Sequence, residues 1–147
     1  AEIRLRLDEM SERRREQITL AQSALTYTDD RLRGHDVATV IEVIEHLDAE
    51  RLDVFGRVVF GDAAPKTVVV TTPNSEYNVH FERLPHGQFR HGDHRFEWTR
   101  QEFADWAEHV CDEFGYTVSY APIGPVEATT GAPTQMGVFT KTAGEPA

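Results

Sequence analysis

The chain has 147 residues, 39% hydrophobic and 10% aromatic, which is one domain's worth of sequence with enough apolar content for a packed core. Twenty-five acidic against fifteen basic residues leave a formal charge of −10, which excludes broad duplex binding through a basic face. No apolar run reaches the roughly 18–20 residues of a membrane span, the N-terminus lacks the apolar core of a secretory signal, and the single Cys111 excludes an internal disulfide or a CxxC zinc site, so a soluble, cytoplasmic chain is expected.

Residues 3–16 mix helix formers with charges of both signs and predict a surface helix. QITLAQSALTY (17–27) reads as a short strand and TDDRLRG (28–34) as a turn. VATVIEVI (37–44) is a β-branched run that suits a strand buried on both faces. In DAERLDVFGRVVFGD (48–62), Asp48 is placed as an N-cap and Leu52, Phe55, Val58 and Val59 recur at helical spacing. PKTVVVTTPN (65–74) is a second β-branched run closed by Pro-Asn, and 75–94 is polar, aromatic and turn-rich without a period. Thr99 with Glu102 forms a capping box. The helix it opens carries Phe103, Trp106, Ala107, Val110 and Phe114 on one stripe, and Gly115 stops it. YTVSYAPI (116–123) and QMGVFTK (135–141) predict two last strands around a Gly/Pro/Thr-rich loop, with a frayed tail over 142–147. Strands alternating with helices imply an α/β layer fold with a mostly parallel sheet.

Three clusters carry chemistry. Glu42-Val43-Ile44-Glu45-His46 ends a strand at the carboxyl edge, where open α/β sheets bind ligands. On a helical turn Glu42, Glu45 and His46 converge, and two carboxylates with an imidazole suit magnesium, manganese or iron; the same spacing also occurs on exposed helices that bind nothing. Between Arg83 and Arg100 the charge turns basic: Arg83, Arg90, Arg95 and Arg100 with His86, His91 and His94, opposed by Asp93 and Glu97. His91 and His94 are ligand candidates or an exposed pair, and Phe96 and Trp98 are core anchors for the next helix. Thr72 to Asn78 gathers hydroxyl and amide groups behind a buried strand, as a turn or as a substrate rim. Cys111 reads as a small buried thiol.

In this order EVIEHLD (42–48), VVVTTPNSEYN (68–78), RHGDHRFEWTRQEF (90–103) and GAPTQMGVF (131–139), preceded by TLAQSALTYTDDRLRGHD (19–36), resemble the HEN-type (Hua enhancer) RNA 3′-terminal ribose 2′-O-methyltransferases, the bacterial branch most closely. The likeness runs from about Ile3 to Lys141, and EVIEHLD paired with DHRFEWTR is its specific part. It implies a class I Rossmann-like fold using S-adenosylmethionine, with 1–141 a partial methyltransferase domain lacking its first strands and 142–147 a flexible tail. It implies that Glu42, Glu45, His46 and His94 bind magnesium or manganese, which grips the 2′- and 3′-hydroxyls of the terminal ribose. A free vicinal diol is then required, which DNA lacks, and a bound cation makes the hydroxyl a better nucleophile. His91 and His94 are the catalytic candidates, with His91 placed to take the hydroxyl proton. Arg90 and Arg95 suit the terminal phosphates, and Asn74, Tyr77 and Asn78 the RNA rim.

Two departures stand beside the likeness. All ten glycines fall at Gly34 or later, so the glycine-rich cofactor loop of class I methyltransferases is missing. Where relatives read QGSLTY this chain has Gln22-Ser23-Ala24-Leu25-Thr26-Tyr27, so the cofactor expectation rests on Ser23, Ala24 and Leu25 with backbone facing the adenine. The long N-terminal half through which bacterial relatives engage a polynucleotide kinase–phosphatase–ligase repair partner is also missing. Two readings follow: methylation of the 2′-hydroxyl at the 3′ end of a small or repaired RNA, or a non-catalytic metal- and RNA-end-binding fragment that needs upstream residues for the cofactor.

Overall fold

Two β-branched runs become adjacent parallel strands, β1 (Val37–Ile41) and β2 (Thr67–Pro73), with Val37 opposite Thr67 and Ile41 opposite Thr71. The structure, a computed structural model, describes residues 10–142. Its helices are a short α1 (Glu12–Arg15), α2 (Leu52–Gly56) with a π-helical continuation over Arg57–Ala63, and α3 (Arg100–Phe114). Strands β3 (Tyr116–Ile123) and β4 (Thr134–Lys141) complete a sheet ordered β1-β2-β4-β3.

β4 is antiparallel to both its neighbours, so β1, β2 and β3 point one way and β4 alone is reversed. The α/β expectation holds, but the sheet is mixed: β1–β2 is its one parallel pairing among the described strands. The crossover through α3 sets β3 two strand positions beyond β2, and the 124–133 hairpin loop returns β4 into the gap. Gly137 sits opposite Val70 there, where a Cβ would lie 3.0 Å from the Phe139 ring and 3.1 Å from Phe103.

The core lies between the sheet and the two long helical segments, with Phe60 at its centre against Tyr116 and Phe139 at ring separations of 5.3 and 5.0 Å. Val58, Val59 and Phe60 are buried in succession, which the wider π turn permits and a 3.6-residue period does not. α3 opens on the expected reciprocal Thr99–Glu102 box and closes on Gly115 at φ 73°, a conformation glycine adopts without strain. Phe96 and Trp98 stack at 4.4 Å against the core, as expected of anchors, and the Cys111 thiol is half-buried, its pKa pushed up chiefly by burial.

Several sequence expectations need correction. Residues 17–27 form no strand; they run irregular and mostly exposed, since none of the described strands pairs with them. β1 ends at Ile41 and is not buried on both faces: it edges the described sheet, and Val37 and Ile41 are more than half exposed. Within the described part of the expected 3–16 helix, residues 10–16, only Glu12–Arg15 is helical; residues 1–9 lie outside the described range. Asp48 precedes a 3₁₀ turn (Ala49–Arg51) without capping it, its carboxylate lying instead 3.6 Å from Arg95 Nε. Thr142, assigned to the tail, is tied to Gly115 O through its backbone N (2.9 Å) and its hydroxyl (2.8 Å), while 143–147 fall outside the described residues. No described helix is long and apolar enough to cross a membrane.

Candidate metal centre at the sheet edge

The carboxyl ends of β1 and β2 present two consecutive threonines to two glutamates. Glu42 leaves β1 in the left-handed region at φ 51°, held by its N–H to Thr71 O (3.1 Å) while the Thr71 hydroxyl donates to its Oε1 (2.9 Å). This turn swings the chain into one 3₁₀ turn (Ile44–His46) that drives the Glu45 side chain into the interior, fully buried. Thr72 Oγ1 donates to Glu45 Oε2 at 3.0 Å, whereas Oε1 is buried without a hydrogen-bond partner. Burial pushes the Glu45 carboxyl above its ordinary pKa.

His94 arrives from the opposite side on the 91–95 loop, which is pinned by Arg95 N donating to Glu45 O at 2.7 Å. Its Nδ1 meets Glu97 Oε1 at 2.6 Å, and His46 Nδ1 lies 3.3 Å from Asp93 Oδ2. The Glu97 carboxylate only accepts, so His94 Nδ1 donates to it and Nε2 is left as that ring's ligand atom. The two rings meet edge-on at 4.8 Å, and ligand atoms of Glu45, His46 and His94 all lie within 4.8 Å of one another. They share a cleft of about 480 Å³ with Glu42, Arg90 and His91.

Glu42 therefore lines the cleft without joining the three-ligand cluster, because the helical spacing assumed for it is replaced by a left-handed turn and a bond to Thr71. His91 is exposed on the wall, its ring 5.2 Å from His94. Arg95 is exposed.

The other residues expected at an RNA rim serve the protein itself. Asn74 is buried, donating to Thr130 O (2.7 Å) and Ala132 O (2.8 Å) and accepting from Glu76 N. Tyr77 is buried between His80 and Phe81. Asn78 donates to Glu97 Oε2 and accepts from Arg90 Nε, both at 2.6 Å. The half-buried Arg90 guanidinium also donates to Pro133 O (2.7 Å) and Asn74 O (2.5 Å), and desolvation lowers its pKa. Ser23, Ala24 and Leu25 are exposed on the irregular N-terminal segment and line none of the cleft.

Sequence reasoning named Glu97 only as an acid opposing the basic stretch and Thr72 only as part of a turn or rim, and missed that they hold His94 and Glu45. Glu97 is buried and gathers three donors: His94 Nδ1, Asn78 Nδ2 and Arg90 N (2.7 Å). The signal was the His-x-x-Glu spacing within DHRFE, which places a carboxylate behind an imidazole.

A mixed sheet with ligand-type side chains gathered at its carboxyl edge is the arrangement of a Rossmann-like methyltransferase. No family profile matches the sequence. The methyltransferase domain of a bacterial Hen1 (CtHen1) matches with TM-score 0.83 at 51% identity, over 95% of this chain and 70% of that one. The small RNA 2′-O-methyltransferase of Xenopus tropicalis is 45% identical over 127 residues, 84% of this chain and 34% of the relative. A chain of the Pnkp1/Rnl/Hen1 RNA repair complex matches with TM-score 0.57 at 26% identity, over 78% of this chain and 24% of that one. The chain belongs to the small RNA 2′-O-methyltransferase (Hen1) family and spans about a third of the length of the curated relatives it matches.

Proposed function

We propose that this chain is the metal- and RNA-end-binding part of a methyltransferase that moves the methyl group of S-adenosylmethionine to the 2′-hydroxyl of the 3′-terminal nucleotide of RNA. The observation that carries the metal is Glu45 Oε1, buried and partnerless beside two imidazoles whose Nδ1 atoms are engaged by carboxylates. An unpartnered buried oxygen costs about 1–3 kcal/mol, more when charged, so a site that keeps one is suited to a positively charged guest. Glu45, His46 and His94 would hold a divalent cation, with Glu42 as a further oxygen on the same wall, and two imidazoles favour manganese over magnesium. Bound there, the cation supplies Lewis acidity that lowers the pKa of a ribose hydroxyl.

The chain's own groups do the rest. Thr72 orients the Glu45 carboxylate with Oε1 free, and Glu97 fixes the His94 ring. His91, exposed on the cleft wall, takes the proton from the 2′-hydroxyl, and Arg95 faces the terminal phosphate. The backbone of Ser23, Ala24 and Leu25 faces the methyl donor. Likeness to a chain of an RNA repair complex supports repaired RNA ends as one substrate; a kinase–phosphatase–ligase partner and a cytoplasmic setting belong to the same proposal.

The test is transfer of labelled methyl from S-adenosylmethionine to an RNA ending in a free 2′,3′-diol, with manganese and with chelator. Labelling of the diol end alone, abolished by chelator and absent from 2′-deoxy and 3′-deoxy ends, is expected. Chelator-insensitive labelling, or equal labelling of the 3′-deoxy end, refutes the metal-gripped diol. Metal-dependent binding of the diol end without labelling would leave the fragment short of its methyl donor site.

A further inference from the structure

Asn74, Asn78 and Arg90 are engaged in internal bonds, so the free groups that could meet RNA are those around them. The segment after them is exposed in an unusual way: Val79 is 70% and Phe89 44% accessible, and Phe81 is exposed beside them. Phe89, Val79, Leu84 and Pro85 line an open pocket of about 420 Å³ whose polar wall includes Ser75 and Asn78. That volume lies within the roughly 300–1,000 Å³ of small-molecule sites.

The pocket is linked to the metal centre through shared lining residues. A shallow hollow formed by Phe81, Arg83, Leu84 and Arg90 shares Leu84 with it and Arg90 with the cleft of His94. Asn78, on the pocket wall, bonds the same Glu97 that holds His94. Arg83 is exposed and has no ion-pair partner among the described residues, and His86 and His91 flank it, against the exposed acids Glu82 and Asp93. On a chain of formal charge −10, this stretch pairs a free guanidinium with exposed aromatic rings, the combination that takes up single-stranded nucleic acid.

We propose that residues 79–89 form a second nucleotide subsite, in which the base preceding the 3′-terminal nucleotide stacks on Phe89 in the pocket and its phosphate meets Arg83. The proposal rests on the metal cleft being the seat of the terminal ribose.

Binding is read by fluorescence anisotropy, in manganese, with 5′-labelled RNA pentamers ending in a free diol, one carrying a penultimate base and one abasic there. Loss of one stacked base weakens binding by a factor of about 5–150. Phe89→Ala is expected to weaken the normal RNA by a factor in that range and to leave the abasic RNA, already weak on the parent protein, unchanged. Val79→Trp, which fills the pocket and keeps Phe89, is expected to do the same. Arg83→Ala is expected to reduce the slope of log Kd against log salt by about 0.7. Equal weakening of both RNAs by Phe89→Ala, or of neither, overturns the subsite. Preference for the diol end without discrimination at the penultimate base sinks the subsite alone, whereas loss of the diol preference sinks the reading beneath it.

Discussion

Glu97→Gln isolates what the buried network behind His94 contributes. The carboxylate accepts from His94 Nδ1 and Arg90 N through Oε1 and from Asn78 Nδ2 through Oε2. An amide in its place must turn an NH₂ toward donors on one side or the other. The lesser conflict sets it against Asn78 Nδ2, and Asn78 cannot relieve this by flipping, because its Oδ1 accepts from Arg90 Nε. One buried donor is then left unpaired, at about 1–3 kcal/mol, and the half-buried Arg90 guanidinium loses its strongest negative neighbour. At about 3 °C per kcal/mol for a domain of this size, the melt should fall by about 3–9 °C. Manganese affinity by calorimetry should fall about 10–100-fold, the usual effect of removing a carboxylate behind a ligating histidine. A melt within 2 °C (roughly half a kcal/mol) of the parent, with unchanged manganese affinity, would refute the claim that the network has only one satisfying arrangement of protons.

Glu45→Gln replaces a buried charge with a neutral amide that still accepts from Thr72, so in chelator the melt should rise by about 3–6 °C. The parent's stabilisation by manganese should vanish in the same variant, and a lower melt in chelator would show that Oε1 is satisfied after all. Gly137→Ala drives a methyl into the Phe139 and Phe103 rings and should cost about 1–3 kcal/mol, read by urea unfolding; no loss would mean that the rings yield freely. Burial raises the pKa of Tyr116, whose hydroxyl donates to Pro65 O at 2.7 Å, so the fold favours the neutral phenol. That contribution is complete below the unfolded value of about 10 and is lost as pH rises through the folded value. The parent's melt should therefore drop above about pH 10, more steeply than that of Tyr116→Phe, and parallel profiles would contradict the assignment.

The legible parts of this molecule were those written in short-range code. The Thr99–Glu102 box, the Gly115 stop and the Thr67–Pro73 run each depend on a few neighbouring residues, and each stands where the pattern put it. Glu45 and His46 were legible as a pair at the carboxyl end of a strand, whereas His94, on a distant loop, joined them through the family resemblance and not through spacing. The helical spacing expected of Glu42 does not form, because its left-handed backbone depends on Thr71, which lies 29 residues away, and its carboxylate instead lines the cleft beside the three-ligand cluster. Arg90, Asn74 and Asn78 read as RNA contacts because residue type reports hydrogen-bonding capacity and not whether that capacity is already used. Strand order escaped for a related reason: alternation of strands and helices is the same whether β4 adds at an edge or inserts beside β2.

The metal centre concentrates cost where the chain's connections are densest. A left-handed non-glycine at Glu42 costs about 1–2 kcal/mol, and the partnerless Glu45 oxygen about 1–3 more. Together they claim a sizeable share of the 5–15 kcal/mol that holds a typical domain folded. Such costs persist only where the surroundings over-determine them. The surroundings that do so are specific: Thr71 and Thr72 give one hydroxyl to each glutamate, Arg95 N ties Glu45 to the His94 loop, and Glu97 locks His94 through a network that also secures Arg90. Thr71 holds Glu42, the other ties act on the orientation of Glu45 or His94, and none satisfies Glu45 Oε1. Stability alone would have favoured an amide or an apolar side chain there. A carboxylate held open at that cost fits a site organised around the charge it receives.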